Sequence, residues 1–165
     1  MPNHYLENDA VISECGKYRY LLRRAWDHAK PRALFIMLNP STADARADDA
    51  TIRSCVRLVS GIGYGSMEVV NLFAWRATDP KDLPTPPSAA IGPNNSRTIE
   101  AAVVRCDMAI CAWGAHPYAA KHAQGVLDII RLNRPAAYCF GKTKAGAPKH
   151  PLYIKSGTAL ESFGQ

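Results

Sequence analysis

The chain has no Cys-x-x-Cys pair, and its five cysteines, at positions 15, 55, 106, 111 and 139, show no ligand-like spacing with its five histidines. Structural zinc, an iron–sulfur cluster and a disulfide framework are therefore not expected, and the cysteines read as reduced, mostly buried small hydrophobes. The opening MPNHYLENDAVISE has no basic segment leading into an apolar run, and no apolar run approaches membrane-spanning length. The expectation is a cytoplasmic protein that does not engage a membrane. Internal repeats, charge blocks and low-complexity segments are also missing, apart from one proline-rich loop at 76–96.

Two glycine patterns fail as nucleotide fingerprints. GIGYG at 61–65 follows a helix-like segment, whereas a dinucleotide fingerprint must lie between a strand and the helix that receives the pyrophosphate. GKT at 141–143 resembles the end of a phosphate-binding loop, but Ala136 stands where the first glycine belongs. Gly146 and Pro148 then prevent a helix from following at once.

What is present suits one globular domain over 1–165. The length of 165 residues and the 47% hydrophobic content suffice for a single core and fall short of two ordinary ones. A net charge of +6 is compatible with a polyanionic partner, nucleic acid or nucleotide, and equally with a solvated basic surface.

Two β-prone runs around Gly16-Lys17 predict an N-terminal hairpin that pairs at or covers an edge. From residue 34 the pattern alternates. The apolar runs ALFIML, MEVVNLFAW, DMAICAW and AAYCF predict strands, and helical spacing recurs at Ile52/Cys55/Val56/Val59, Ile99/Ala102/Val103/Cys106 and Ala119/Ala123/Val126/Leu127/Ile130. Asp48 or Asp49 is the expected N-cap of the first helix. The predicted fold is a three-layer α/β domain, a mainly parallel four-stranded sheet flanked by helices with the hairpin added.

In such sheets ligands bind beyond the carboxyl ends of the strands, which directs attention to LNPSTAD, NLFAWRATDP, WGAHPY and GKTKAGAPKHP. Asn39, before Pro40 and Ser41, can orient water or a ligand, or simply hold a turn. Asn71 lies inside an apolar strand, where its amide must be paired or must read a base edge. Trp75 and Arg76, with Trp113, offer stacking surfaces or cap the core. Lys142, Lys144 and Lys149 can hold phosphates, and His150 can donate to a developing negative charge; the alternative is a solvated basic loop. Asp44, Asp48 and Asp49 read mainly as turn and cap residues.

Taken together, LNPSTAD, DDATIRSC, NLFAWRATDP, AWG and GKTKAGAPKHPLYI resemble a family of small bacterial and phage proteins, the domain of unknown function numbered 1643. From residue 34 the motif order is also similar to the uracil-DNA glycosylase superfamily. There an apolar strand ends in an Asn-Pro-like loop, an asparagine-bearing strand leads to a basic proline-containing loop, and a His-Pro motif comes last. MLNPS is closest to the mismatch-specific branch. This second resemblance implies a uracil-DNA-glycosylase-like fold acting on DNA without metal or cofactor, hydrolysing the N-glycosidic bond of a modified or mismatched base. Asn39 would position water, Asn71 would read the base, and His150 with Lys149 would stabilise the departing base anion. A basic surface and a wedge near the final motif are implied as well. The sequence departs from that pattern at Met37, where glycine is usual, at Ser41, and at His-Pro-Leu-Tyr in place of His-Pro-Ser. The alternative is a non-catalytic nucleotide or nucleic-acid binding module using the same pocket.

Overall fold

The computed structural model describes residues 2, 4–133 and 137–164. In chain order it contains β1 (Glu7–Ile12), β2 (Arg19–Ala25), β3 (Arg32–Met37), α1 (Ala50–Gly61), β4 (Ser66–Asn71), α2 (Ser88–Ile91), α3 (Asn95–Arg105), β5 (Met108–Cys111), α4 (Pro117–Asn133), β6 (Ala137–Cys139) and β7 (Glu161–Phe163). The strand expected at AAYCF begins at Ala136, which lies outside the described residues.

One sheet runs in the order β1-β2-β4-β3-β5-β6-β7. The pairs β4/β3, β3/β5 and β5/β6 are parallel, while β1/β2, β2/β4 and β6/β7 are antiparallel. This overturns the expected mainly parallel four-stranded sheet and, with it, the uracil-DNA-glycosylase-like architecture: the sheet is seven-stranded and mixed, and only the general α/β class stands. The physical reason lies chiefly in β2. Its sequence RYLLRRA is buried at every residue except the half-buried Arg23, so it is an interior strand between β1 and β4 rather than an edge cover. At the other end β7 is too short and polar to carry a strand pattern, and forms by pairing with β6.

The central strands are buried on both faces, as their continuous apolar runs require. Leu34, Ile36, Val70 and Cys111 pack under α3 and α4, against Ile99, Val103, Ala123 and Val126. Phe35, Met37, Met67, Val69 and Ile110 pack under α1, against Ile52, Cys55, Val56 and Val59. Each fully buried large side chain contributes about 1.5–3 kcal/mol of transfer free energy. Asp49 caps α1, its Oδ1 accepting from the Ile52 amide at 2.9 Å. At the far end Gly65 lets two chains meet, since a Cβ there would lie 2.0 Å from the Asp27 carbonyl oxygen.

Buried arginines of β2 fix the loop between β3 and α1. Arg24, 1% exposed, donates from Nε to Asp48 Oδ1 at 2.8 Å and also reaches the Asp44 carbonyl. Tyr5 donates to the other Asp48 oxygen at 2.6 Å. On the opposite face Glu68, fully buried, is ringed by Arg23, Arg32 and Arg105 at 2.9–3.4 Å. Breaking a buried pair leaves a charge without compensation, which costs more than the intact pair contributes. Asp48→Asn is therefore expected to destabilise the fold by about 3 kcal/mol in urea unfolding, the Arg24 backbone contacts limiting the loss. A change below about 1 kcal/mol would show that Arg24 does not depend on Asp48.

Candidate functional site

A cavity of about 600 Å³ opens at the carboxyl ends of β3 and β5, beside the N-terminus of α1. Met37, Leu38, Asn39 and Ser41 line it from β3 and its loop, with Asp49 to Ile52 from the start of α1. Ala77, Thr78 and Pro80 come from the β4 loop, Trp113, Ala115 and His116 from the β5 loop, and His150, Leu152 and Tyr153 from the final motif. Arg19 of β2 completes the lining.

Asn39 has a fixed orientation. Its Nδ2 donates to the carbonyls of Ala77, at 2.8 Å, and Pro40, at 3.2 Å. Two carbonyl acceptors can be met only by the nitrogen end of the amide, so Oδ1 is the end left free to accept. The Ala77 amide donates back to the Pro40 carbonyl at 2.9 Å, lacing the two loops together. Ser41 hydroxyl meets that of Thr78 at 3.5 Å.

The two histidines are held alike. His150 precedes Pro151 at the head of a 3-10 turn, and its Nδ1 accepts from the Leu152 amide at 3.4 Å. His116 precedes Pro117 at the start of α4, and its Nδ1 accepts from the Tyr118 amide at 3.2 Å. With Nδ1 accepting, a neutral ring carries its proton on Nε2, so each imidazole offers an N–H donor. Burial holds His150 below its ordinary pKa of 6.5, and the Asp49 carboxylate offsets this only in part.

Arg19 reaches the cavity through a bulge. Opposite β1 the pairing steps from Val11↔Leu21 to Ile12↔Arg19, skipping Tyr20. The extra residue reverses the alternation. Tyr20 thus meets Gly92 on the α3 side, and Arg19 turns to the α1 side, where Nη1 donates to the Ala43 carbonyl at 2.8 Å. Arg19 is 1% exposed, its Nε has no partner, and no carboxylate lies within ion-pair distance among the described residues. Burial pulls its pKa down to about 10, opposed by Asp49 and reinforced by Arg76 and Arg24. It remains a cation at neutral pH.

Of the residues singled out from sequence, Asn39, Ser41 and His150 line the cavity, and Pro40 is buried beside it through the Ala77 contact. Asn71 does not line it. Paired in register with Met37, it is 1% exposed and neither amide atom has a hydrogen bond. Trp75 packs edge-on against Tyr18 near the hairpin turn, and Arg76 donates to the Gly16 carbonyl at 3.3 Å; neither lines the cavity. Lys142, Lys144 and Lys149 are exposed on the 141–149 loop and also stand outside it, Lys142 lying 3.9 Å from Glu161. Sequence reasoning missed Arg19 and His116. The signals available were an arginine opening the apolar run RYLL, and a His-Pro dipeptide at 116 that repeats the one at 150. Among the described residues no group of three or more His, Cys, Asp or Glu side chains is placed to hold a metal ion, and no helix is long and apolar enough to cross a membrane.

These features define an α/β protein with a half-polar cavity at the carboxyl edge of a mixed sheet. The family described as "Protein of unknown function (DUF1643)" matches residues 19–152, and the chain belongs to that family. The match runs from Arg19 to Leu152, so it takes in every cavity-lining residue except Tyr153. No curated protein matches the chain. Among solved structures, the Leu-bound hetero-hexameric glutamate dehydrogenase from Thermus thermophilus is similar with 17% identity and a TM-score of 0.36, over 79% of this chain and 31% of that one. A likeness of that degree carries no conclusion about fold or function.

Because the folded state resists protonation of His150, the unfolded chain binds more protons below pH 6.5, and stability is expected to fall as pH drops through that value. His150→Asn, which keeps a capping acceptor, should flatten this part of the pH–stability curve in urea titrations. Equal slopes for the two proteins would place the His150 ring in water.

Proposed function

We propose that the cavity recognises a nucleobase carried on a nucleotide or nucleic acid, and that the protein hydrolyses the N-glycosidic bond of that unit. The observation that carries this reading is the fixed amide of Asn39, whose free Oδ1 shares one cavity with the Nε2–H donor of a neutral His150. A volume near 600 Å³ suits a ligand of nucleoside size, and Met37, Leu38 and Trp113 supply apolar walls for a flat ring. At the mouth Tyr153 is 79% exposed and Leu152 46%, which suits stacking on a base or wedging a strand. The resemblance of the motif order to that of the uracil-DNA glycosylase superfamily supports these roles for Asn39 and His150, on a sheet of different architecture.

In this mechanism Asn39 Oδ1 accepts a hydrogen bond from water and aims its oxygen at the anomeric carbon. As the carbon–oxygen bond forms, the carbon–nitrogen bond breaks and its electron pair leaves on the base. The Nε2–H of His150 stabilises that charge as it develops. The water's proton passes to Asp49, whose Oδ2 has no hydrogen bond among the described residues. The uncompensated Arg19 favours a second reading, a nucleotide-binding module without turnover.

Incubation with nucleotides and with duplexes carrying uracil, hydroxymethyluracil or alkylated bases, followed by chromatography for free base, separates the two. Free base should appear, and Asn39→Ala should lower kcat about 100-fold, as loss of a positioned reactant does, with KM nearly unchanged. Recovery of every ligand intact would leave binding as the function.

A further inference from the structure

Two arginines of β2 are equally buried, at 1% exposure, and are treated in opposite ways. Arg24 has a carboxylate at 2.8 Å and backbone carbonyls for its remaining donors. Arg19 has one carbonyl, an Nε that donates to nothing, and no carboxylate in ion-pair range among the described residues. A buried charge without a counter-charge is strongly unfavourable, and a buried donor left unmade adds to the cost. A ligand anion removes the cost.

The surroundings are built for one. The bulge at Tyr20 turns Arg19 into the cavity, and the N-terminus of the 12-residue α1 lines the same space through Ala50, Thr51 and Ile52. A helix N-terminus favours negative charge. Asp49 opposes it, but one of its oxygens is committed to the Ile52 amide. Arg76 and Arg24 lie near enough to Arg19 to act on it, adding positive charge against that of Asp49. Arg19 is deep, whereas Leu152 and Tyr153 stand exposed at the mouth. A ligand would enter with its anionic end first and its flat apolar part outermost.

We infer that the Arg19 end of the cavity is a phosphate subsite, so that the ligand class of the proposed nucleobase site is a mononucleotide or a phosphorylated strand end. The inference rests on the nucleobase reading for the rest of the ligand, but not for the phosphate itself. A guanidinium fork meets phosphate oxygens through parallel donors, which an internal phosphodiester on a duplex surface could not bring to this depth.

Calorimetric titration of the full chain with inorganic phosphate, ribose 5-phosphate, nucleosides, their 5′-monophosphates, and oligonucleotides with and without a terminal phosphate tests this. Monophosphates should bind at least about tenfold more tightly than the matching nucleosides, as one charge-assisted bond implies. A phosphorylated strand end should show the same advantage if strands are the source. Arg19→Gln should abolish the advantage of monophosphate over nucleoside, and Arg19→Lys should restore part of it. On the wild-type protein, phosphorus NMR should show the second pKa of bound phosphate lowered by the adjacent cation, a readout that needs no variant to fold. Equal affinity for nucleosides and monophosphates, or an advantage that survives Arg19→Gln, would overturn the subsite and leave the nucleobase reading intact. Equal binding of ribose 5-phosphate and nucleotides would uphold the subsite and remove the nucleobase reading.

Discussion

The arrangement at the carboxyl edge of the sheet depends on how β2 places its arginines. As an interior strand between β1 and β4, β2 must bury nearly all of its side chains, including two guanidinium groups that water would otherwise hold. Arg24 answers this by drawing Asp48 and the Asp44 carbonyl down onto the sheet, and so fixes the loop that carries Asn39 to Asp49. Arg19 secures the same loop at Ala43, but among the described residues no carboxylate lies within ion-pair distance of its charge. The loop geometry and the unmet charge have one origin, and both border the cavity.

Around that charge the polar groups are held before any ligand arrives. Asn39 is oriented by two carbonyls, and each histidine is oriented by the amide two residues on. Each of these side chains spends one atom on the backbone and keeps another for the cavity. Groups fixed in this way need little reorganisation when charge develops near them, which is the property that makes such sites effective in binding and in catalysis. The proline after each histidine contributes by presetting the turn whose amide the ring accepts.

Much of the chain from residue 34 was legible because its strands are continuous apolar runs and its helices repeat at helical spacing. The helix over Ile52, Cys55, Val56 and Val59 follows directly from those patterns, as does a cap at Asp48 or Asp49, of which Asp49 takes the role. The mixed character of the sheet was not legible, since RYLLRRA reads as half-solvated and gives no hint that Arg24 is internally paired. Arg19 was hidden for a related reason: a one-residue bulge changes which face a side chain occupies, and no local composition marks it. Asn71 shows the limit of reading a residue type without its neighbours. A carboxamide in an apolar strand signals something unusual, and it is indeed unpaired, yet Met37 beside it borders the cavity in its place. Trp75 and Arg76 leave the end of β4 towards the hairpin turn, because Trp75 bridges to Tyr18, so proximity in sequence to a strand end did not bring them to the cavity.

On this reading an anion completes the charge of Arg19 inside the cavity. A crystal structure of the protein soaked with a nucleoside 5′-monophosphate tests it most directly. Density is expected in the cavity with phosphate oxygens within hydrogen-bonding distance of the Arg19 guanidinium and the base towards Tyr153. A nucleotide bound elsewhere, or bound with its phosphate at the mouth and Arg19 untouched, would contradict it.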